Sequence, residues 1–448
     1  MEEKVLFGKT LAPAEYVPDK YKIKDPVILF RSSSDSSRIF AVSKETLFSH
    51  ILLLGGTGCG KTNTLMQACV NLKGWEKAYE SVYLIFDTKN DYQTHKAFFN
   101  PDTDLIIGNS KNYRDRSVIW NIFEEVMADG DDPKDYESNA YEIAKGLFNG
   151  RGSATQPFFV ESATTLFANT IIYFIRRYRD NYNAWKNNLN NKKLALFLTG
   201  NSAQNLIKYF SIYEDMRGLK SYIGDGNNNQ ALGVLAELRS MLDACFRGVF
   251  AEEPPAGEKG FSMRKAIREK GGRSIFIEYD LSTGESLTPV YSVLVDLALK
   301  EALSEKTTGN TFLLLDELKL LPKLSHLDDA INFGRSKNVS VIAGLQSVNQ
   351  MYSAYGEKHG QVIIGGFGSV FAFKTHDHES REYISKLFGP NITSYRYYDI
   401  NNKPVDRERD GNVVEHWDIQ SLETGQAYIG LVSEKRPFLF DFEYDPFK

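Results

Sequence analysis

Gly55-Gly56-Thr57-Gly58-Cys59-Gly60-Lys61-Thr62 reads G-x-x-x-x-G-K-T and directly follows the apolar run Ile51-Leu52-Leu53-Leu54. Glycines let the backbone curl so that successive N–H groups converge on α- and β-phosphates. The lysine reaches β/γ oxygens, and the threonine hydroxyl suits Mg²⁺. Asn63 completes the set, and Thr64–Val70 reads as a helix whose N-terminus adds positive potential at the same point. Strand, glycine loop and helix together form the context this chemistry requires.

Phe312-Leu313-Leu314-Leu315-Asp316-Glu317 is a second apolar run, ending in two acids. At the end of a strand both carboxylates can serve one site: Asp316 holding Mg²⁺ through water, Glu317 orienting and partly deprotonating a lytic water. The run Val339–Gly344 leads to Gln346, placed to sense a γ-phosphate or the lytic water. Just before it, Arg335 in Asn332-Phe333-Gly334-Arg335-Ser336-Lys337 is a candidate arginine finger, with Lys337 as the competing cation. Its place before the strand predicts a position near the sheet's edge, facing a neighbouring subunit. Other patterns fail. Leu281–Glu285 lacks the second glycine and glutamine of a transporter signature, and Thr88-Lys89-Asn90-Asp91 is not a guanine reader. His376-x-His378 lacks a third ligand at metal-site spacing.

The elements that must hold these residues alternate between apolar strands and helices. Strands are predicted at 28–30, 39–42, 82–86, 104–107, 274–279, 311–315, 339–344, 369–374 and 426–431, the pattern of a parallel α/β sheet. From about 137 to 248 the pattern is helical. Ala163, Leu166, Phe167, Thr170, Ile171, Phe174, Ile175 and Tyr178 form one stripe, and Leu232, Leu235, Ala236, Leu238 and Leu242 form another. The expected fold is α/β: a RecA-like P-loop domain over 1–130 and 249–448, with an inserted all-helical domain over 131–248.

The 448 residues suit two domains, and 42% hydrophobic with 25% charged content is ordinary for a globular chain. The apolar stretch Leu166–Ile175 is interrupted by Asn169 and Thr170 and reads as too short for a membrane span. The first fifty residues carry no signal-like apolar core. Cys59, Cys69 and Cys245 have no framework spacing, which suits a reducing cytoplasm. A net charge of −5 argues against a nonspecific nucleic-acid coat. The run Lys259, Arg264, Lys265, Arg268, Lys270, Arg273 reads either as a solvated helix face or as a phosphate-contacting surface.

Taken together these residues resemble the TraD/TraG family of conjugative coupling proteins, the ring ATPases of type IV secretion, and more broadly FtsK/HerA-type translocases. Arg335 lies 19 residues past Asp316 and Gln346 lies 11 past Arg335, as the family spaces its finger and sensor glutamine. Asp87-Thr88-Lys89-Asn90-Asp91 is similar to its Asp-x-Lys-Gly-Asp, and Trp120-Asn121-Ile122-Phe123 to its Trp-Asn-Pro-Phe. Leu321-Pro322 and Gln350-Met351-x-x-x-Tyr355-Gly356 also fit. The likeness runs from about 28 to 432. Asn90 replaces a glycine, Leu318 replaces an aromatic residue, and the two N-terminal membrane helices of many members have no counterpart. The resemblance implies ATP and Mg²⁺ as ligands, a hexameric homo-oligomeric ring, DNA as the moved substrate, and relaxase or secretion-channel proteins as further partners. It implies a cytoplasmic ATPase, peripheral at the membrane through those partners. Lys61, Thr62, Asp316, Glu317 and Gln346 would act in cis and Arg335 in trans. The alternative is an ATP-gated receptor that recruits protein or relaxase–DNA substrates.

Overall fold

The computed structural model describes residues 2–89, 92, 99–151, 157–224, 229–398 and 400–446. It divides into two compact units: 1–104 with 270–274 and 302–448, and 105–269 with 275–301.

The first unit is built on a mixed sheet. Seven of its strands run in the order Phe438–Asp441, Gln426–Gly430, Ser369–Phe373, Ile51–Leu54, Val339–Leu345, Asn310–Leu315, Ser81–Asp87. The last five are mutually parallel, and the first two pair antiparallel at one side. Every residue of Ile51–Leu54, Ser81–Asp87, Asn310–Leu315 and Val339–Leu345 is buried. That explains their unbroken apolar runs, since a strand covered on both faces shows no alternation. Parallel pairing puts the C-terminal ends of Ile51–Leu54, Asn310–Leu315 and Val339–Leu345 on one side of the sheet.

The hairpin Pro26–Arg31 with Ile39–Ser43 closes an aromatic cluster in which Phe40 lies 5.2 Å from Phe438 and 5.4 Å from Phe440, ring centre to ring centre. Its serine turn is anchored on Asp441, whose carboxylate accepts from the hydroxyls of Ser32 at 2.9 Å and Ser33 at 2.8 Å and from the Ser34 amide at 2.7 Å. Burial works against ionisation there, but the bonds from Ser34, Ser33 and Ser32 prevail and hold the carboxyl at about 2. A further antiparallel sheet of Glu2–Gly8, Pro390–Tyr398 and Pro404–Asn412 has no counterpart among the sequence expectations. Its third strand is mostly exposed and strongly charged, so it lacks the apolar signature that marks a strand.

Among its described residues the second unit is helical, apart from a parallel pair in which Leu105–Gly108 lies against residues 275–278. Pro133–Phe148 begins on an Asp132 cap, with Pro133 in the first turn where its missing N–H costs nothing. The 24-residue helix Pro157–Asp180 buries Ala163, Leu166, Phe167, Thr170, Ile171, Phe174 and Ile175. Among the described residues this one helix is long and apolar enough to cross a membrane by length and composition, although the run Leu166–Ile175 within it reads as too short. Two-thirds of its most apolar stretch is buried inside the protein, with Phe174 5.2 Å from Phe197 and 5.7 Å from Phe123. The Asn229–Cys245 helix is rotated from the predicted stripe. Ala231, Val234, Leu235, Leu238, Met241, Leu242 and Cys245 face the core, whereas Leu232 and Ala236 are exposed. Leu232 sits one residue, about 100°, off the true i, i+3, i+4, i+7 face.

The centre of the basic run is turned inward rather than onto a solvated or phosphate-contacting face, while Lys259 at its start is exposed. Arg264 is buried, with Nε 3.1 Å from Glu301 and Nη2 2.7 Å from Asp129. Arg268 meets the same two acids at 2.6 and 2.7 Å, Lys265 pairs with Glu124, and Lys270 in the first unit donates to Thr311 at 2.5 Å. Burial pushes the Glu301 carboxyl up, but Arg268 and Arg264 outweigh it and hold the group below the ordinary carboxylate range. Glu125 beside them is buried with four donors: Trp120 Nε1 at 3.0 Å, Ser262 Oγ at 2.9 Å, and the amides of Met263 and Arg264. The Trp120-Asn121 motif thus has a packing role here. Asn121 ties its helix to the Leu189 and Lys259 carbonyls at 2.9 and 2.7 Å. Arg264→Ala should cost about 3–5 kcal/mol, because it strands buried carboxylates without their cation. Urea unfolding checks this, and a loss below about 1 kcal/mol would assign the network to the surface class of ion pairs.

Candidate functional site

The site lies in the first unit, where the Ile51–Leu54 strand passes into the glycine loop. The loop is held from three directions: Gly55 N–H donates to Leu345 O at 3.0 Å, Gly56 N–H to Lys374 O at 2.8 Å, and Gly425 N–H to Cys59 O at 2.9 Å. Gly60 has φ 112°, a left-handed geometry that lets the loop enter the Lys61–Lys73 helix. Lys61 is nearly buried and folds back onto the loop, donating to Gly55 O at 2.6 Å and Gly56 O at 2.8 Å. Thr57 and Gly58 lie at the exposed tip, and Cys59 is buried beneath it. The Asn63 side chain turns away, donating to Asp445 O at 2.8 Å and accepting from Gln67. What it can offer a phosphate is its backbone N–H in the helix's first turn.

The acids arrive from the neighbouring strands. Thr62 Oγ1 donates to Asp316 Oδ1 at 2.9 Å, so the hydroxyl and carboxylate suited to Mg²⁺ stand side by side. A Cβ at Gly344 would come 2.2 Å from Asp316 O, and only glycine lets the Val339–Leu345 strand pass so close to the acid. Gln346 Nε2 donates to Glu317 Oε2 at 2.6 Å, and its own amide N–H donates to Gln350 Oε1 at 3.2 Å. Glu317 is buried, and its Oε1 has no hydrogen-bond partner among the described residues. Burial pushes its carboxyl above the ordinary range, against the pull of Lys319, Gln346 and Lys61. An orphaned carboxylate made more basic by burial, beside a phosphate loop, can take a proton from water when ionised. The backbone-lined loop, the Thr62–Asp316 pair and this free oxygen together suit a Mg²⁺–nucleotide.

Lys61, Thr62, Asp316, Glu317 and Gln346 therefore converge at one end of the sheet. Arg335 does not join them. It lies on the short turn Gly334–Lys337, at the opposite end of the Val339–Leu345 strand from Gln346. That strand is interior, flanked by Ile51–Leu54 and Asn310–Leu315, so the expectation of an edge position is corrected. Arg335 is exposed because it precedes the strand rather than because the strand is peripheral. Its side chain is 61% exposed, with the guanidinium 2.9 Å from Glu45, in a groove of about 600 Å³ shared with Lys44, Phe48, Asn338 and Glu434.

Several contributors carried no distinct sequence signal. Lys374 and Gly425 hold the loop by backbone groups alone, which leave no mark on residue type. Gln350 was visible in a motif, and its role emerges only from the bond that positions Gln346. Lys89 lies within the Asp87-Thr88-Lys89 motif, with Nζ 2.6 Å from Thr62 Oγ1. Asn90 and Asp91 of that motif are outside the described residues.

The profile of the family described as the type IV secretion-system coupling protein DNA-binding domain matches residues 38–432. The coupling protein TraD of Escherichia coli (strain K12) is 21% identical over 408 residues, covering 87% of this chain and 52% of that protein. The chain thus spans about half the length of this curated relative. Among solved structures, the unbound bacterial conjugative coupling protein TrwBdeltaN70 superposes with a TM-score of 0.75 at 20% identity, over 99% of this chain and 94% of its own. The plasmid coupling protein TrwB in complex with ADP and Mg²⁺ gives 0.74 at 19%, over 99% and 95%. The fold is the RecA-like P-loop core with an inserted all-α subdomain that these structures share.

Proposed function

We propose, for a chain that belongs to the family of type IV secretion-system coupling proteins, an ATP-driven coupling ATPase that moves DNA through a homo-oligomeric ring. The observation that carries this is the split site: five polar residues meet at one end of the sheet, and the arginine that would complete them stands at the other. A subunit that cannot supply its own finger calls for a neighbour that does. The complex of TrwB with ADP and Mg²⁺ supports the same ligands here.

In this reading Lys61 and the loop amides bind the β/γ-phosphates, while Thr62 and Asp316 hold Mg²⁺, which supplies charge neutralisation at the phosphates when bound. Glu317 takes the proton of the attacking water, held in orientation by Gln346, and Gln350 holds Gln346. Arg335 of the adjacent subunit balances charge that builds on the γ-phosphate. Residues 131–248 serve as the inserted helical domain at the mouth of the ring, hexameric by analogy with the family. The chain works in the cytoplasm, peripheral at the membrane through relaxase or channel partners. DNA would be gripped through its backbone, with little sequence specificity and strong salt sensitivity. The test is ATP turnover with and without DNA, at low and physiological salt. Stimulation that fades with salt supports translocation, and turnover indifferent to DNA overturns it.

The rival is an ATP-gated receptor for protein or relaxase–DNA substrates. It gains from one observation: Arg264, Lys265 and Arg268 are consumed by internal ion pairs and leave the helical unit without that basic face. Turnover indifferent to DNA, with nucleotide-dependent capture of a relaxase, would select it.

Glu317→Gln should still bind nucleotide while losing roughly 10²-fold or more in turnover, the scale of a general base. Its pH profile carries a second signature. Catalysis needs the ionised carboxylate, and burial raises the pH at which that form is lost. Turnover of the unmodified protein should therefore fall on acidification already above the ordinary Glu value of about 4.3. An acidic limb at or below that value, or loss of binding in Glu317→Gln, would remove Glu317 from the base role.

A further inference from the structure

Lys89 stands where a divalent cation would be held. Its Nζ donates to Thr62 Oγ1 at 2.6 Å and lies 3.5 Å from Asp316 Oδ2, while Thr62 Oγ1 donates to Asp316 Oδ1 at 2.9 Å. The ammonium thus engages both the hydroxyl and the carboxylate assigned above to Mg²⁺. Its placement is built into the fold. The Ser81–Asp87 strand pairs in parallel with Asn310–Leu315, Phe86 opposite Leu315, so the residues after each strand emerge side by side. The buried Asp87 carboxylate accepts from the amides of Lys89 at 2.9 Å and Tyr92 at 3.3 Å and fixes the turn that delivers the lysine. Asp316 is almost wholly buried, whereas Lys89 is 52% exposed on a flexible stem. The anionic side of the pair is fixed and the cationic side can leave.

We infer that Lys89 is a tethered cation that competes with Mg²⁺ for Thr62 and Asp316, and that metal entry displaces it. The inference rests on the nucleotide site proposed above. Mg²⁺ would hold the Thr62 hydroxyl oxygen directly, at about 2.1 Å, and Asp316 through water, and an ammonium 2.6 Å from that same hydroxyl would crowd and repel the metal and its water shell. With metal absent, Lys89 neutralises Asp316 and lets phosphates approach it. With metal present, it must give way. Lys89 therefore narrows the difference between nucleotide binding with and without Mg²⁺, acting as a positioning residue on the metal site.

The experiment measures affinity for a fluorescent ADP analogue, in EDTA and in saturating Mg²⁺, for the full chain, Lys89→Met and Lys89→Arg. The ratio of the two affinities is the readout, with circular dichroism confirming each fold. In Lys89→Met, binding in EDTA weakens, binding in Mg²⁺ is equal or tighter, and the ratio grows by about tenfold, the scale of one unit charge at hydrogen-bond distance in a partly exposed site. Lys89→Arg keeps the charge and holds the ratio near that of the unmodified chain. An unchanged ratio in Lys89→Met, or equal weakening in both conditions, overturns the inference while leaving the nucleotide site standing. Failure of the unmodified chain to bind in either condition would instead remove the site itself, and this inference with it.

Discussion

Lys61→Ala should yield a folded chain whose ATP turnover falls by roughly 10³-fold or more, as expected when a preorganised charge is removed from developing phosphate charge. The lysine is nearly buried and, among the described residues, hydrogen-bonded only within the loop, to Gly55 O at 2.6 Å, Gly56 O at 2.8 Å and, weakly, Cys59 Sγ at 3.8 Å. The loop keeps its shape without it, because Leu345, Lys374 and Gly425 hold it through backbone bonds. Losing the two short bonds should cost stability only about 1–3 kcal/mol. No other loop residue carries positive charge, and Lys89 faces Thr62 and Asp316 instead. Turnover, nucleotide titration and circular dichroism on one preparation decide the matter. A folded Lys61→Ala protein with unimpaired turnover would refute the assignment of this loop as the phosphate site.

Arg335→Ala should lose roughly 10³-fold in turnover while the isolated subunit binds ATP as before. The seven-residue strand between Arg335 and Gln346 spans about 20 Å, well beyond the reach of one arginine side chain. The guanidinium therefore cannot serve its own loop without dismantling the sheet. Its present partner, Glu45, is as exposed as it is, so removing the pair should barely change stability. Mixing Arg335→Ala with Lys61→Ala subunits gives the sharper result. Each is inactive alone, but where they adjoin, the Arg335→Ala subunit keeps an intact loop and receives the finger of its Lys61→Ala neighbour. The mixture should regain measurable activity. Mixed rings confirmed by native mass measurement that stay inactive would exclude action in trans. Full activity of Arg335→Ala alone would pass the role to Lys337 or remove the finger from the mechanism.

The sequence alone determined what depends on local order. Gly55–Thr62 follows a strand and opens a helix, and that context identifies a phosphate loop without tertiary contacts. The buried parallel strands were legible because residues covered on both faces must be uniformly apolar, as Leu313-Leu314-Leu315 and Val341-Ile342-Ala343 are. Strand-to-acid and strand-to-glutamine junctions followed, since parallel strands deliver their C-terminal residues to one side.

Tertiary structure decided everything that rests on partners distant in the chain. Whether Arg264 and Arg268 meet solvent, phosphate or Glu301 cannot be read from their charge, which favours all three. The fold chose by enclosing Glu301 and Asp129 beside them. The face of Asn229–Cys245 was misread by one residue because leucine is tolerated on both sides of a helix, and only packing selects the buried one. Arg335 was placed correctly before its strand, but strand order moved that strand from the edge to the interior. Lys89 shows the division most clearly. Its motif was visible along the chain, yet its meaning depends on Phe86 pairing with Leu315, a contact made across more than two hundred residues that brings one ammonium to Thr62 and Asp316.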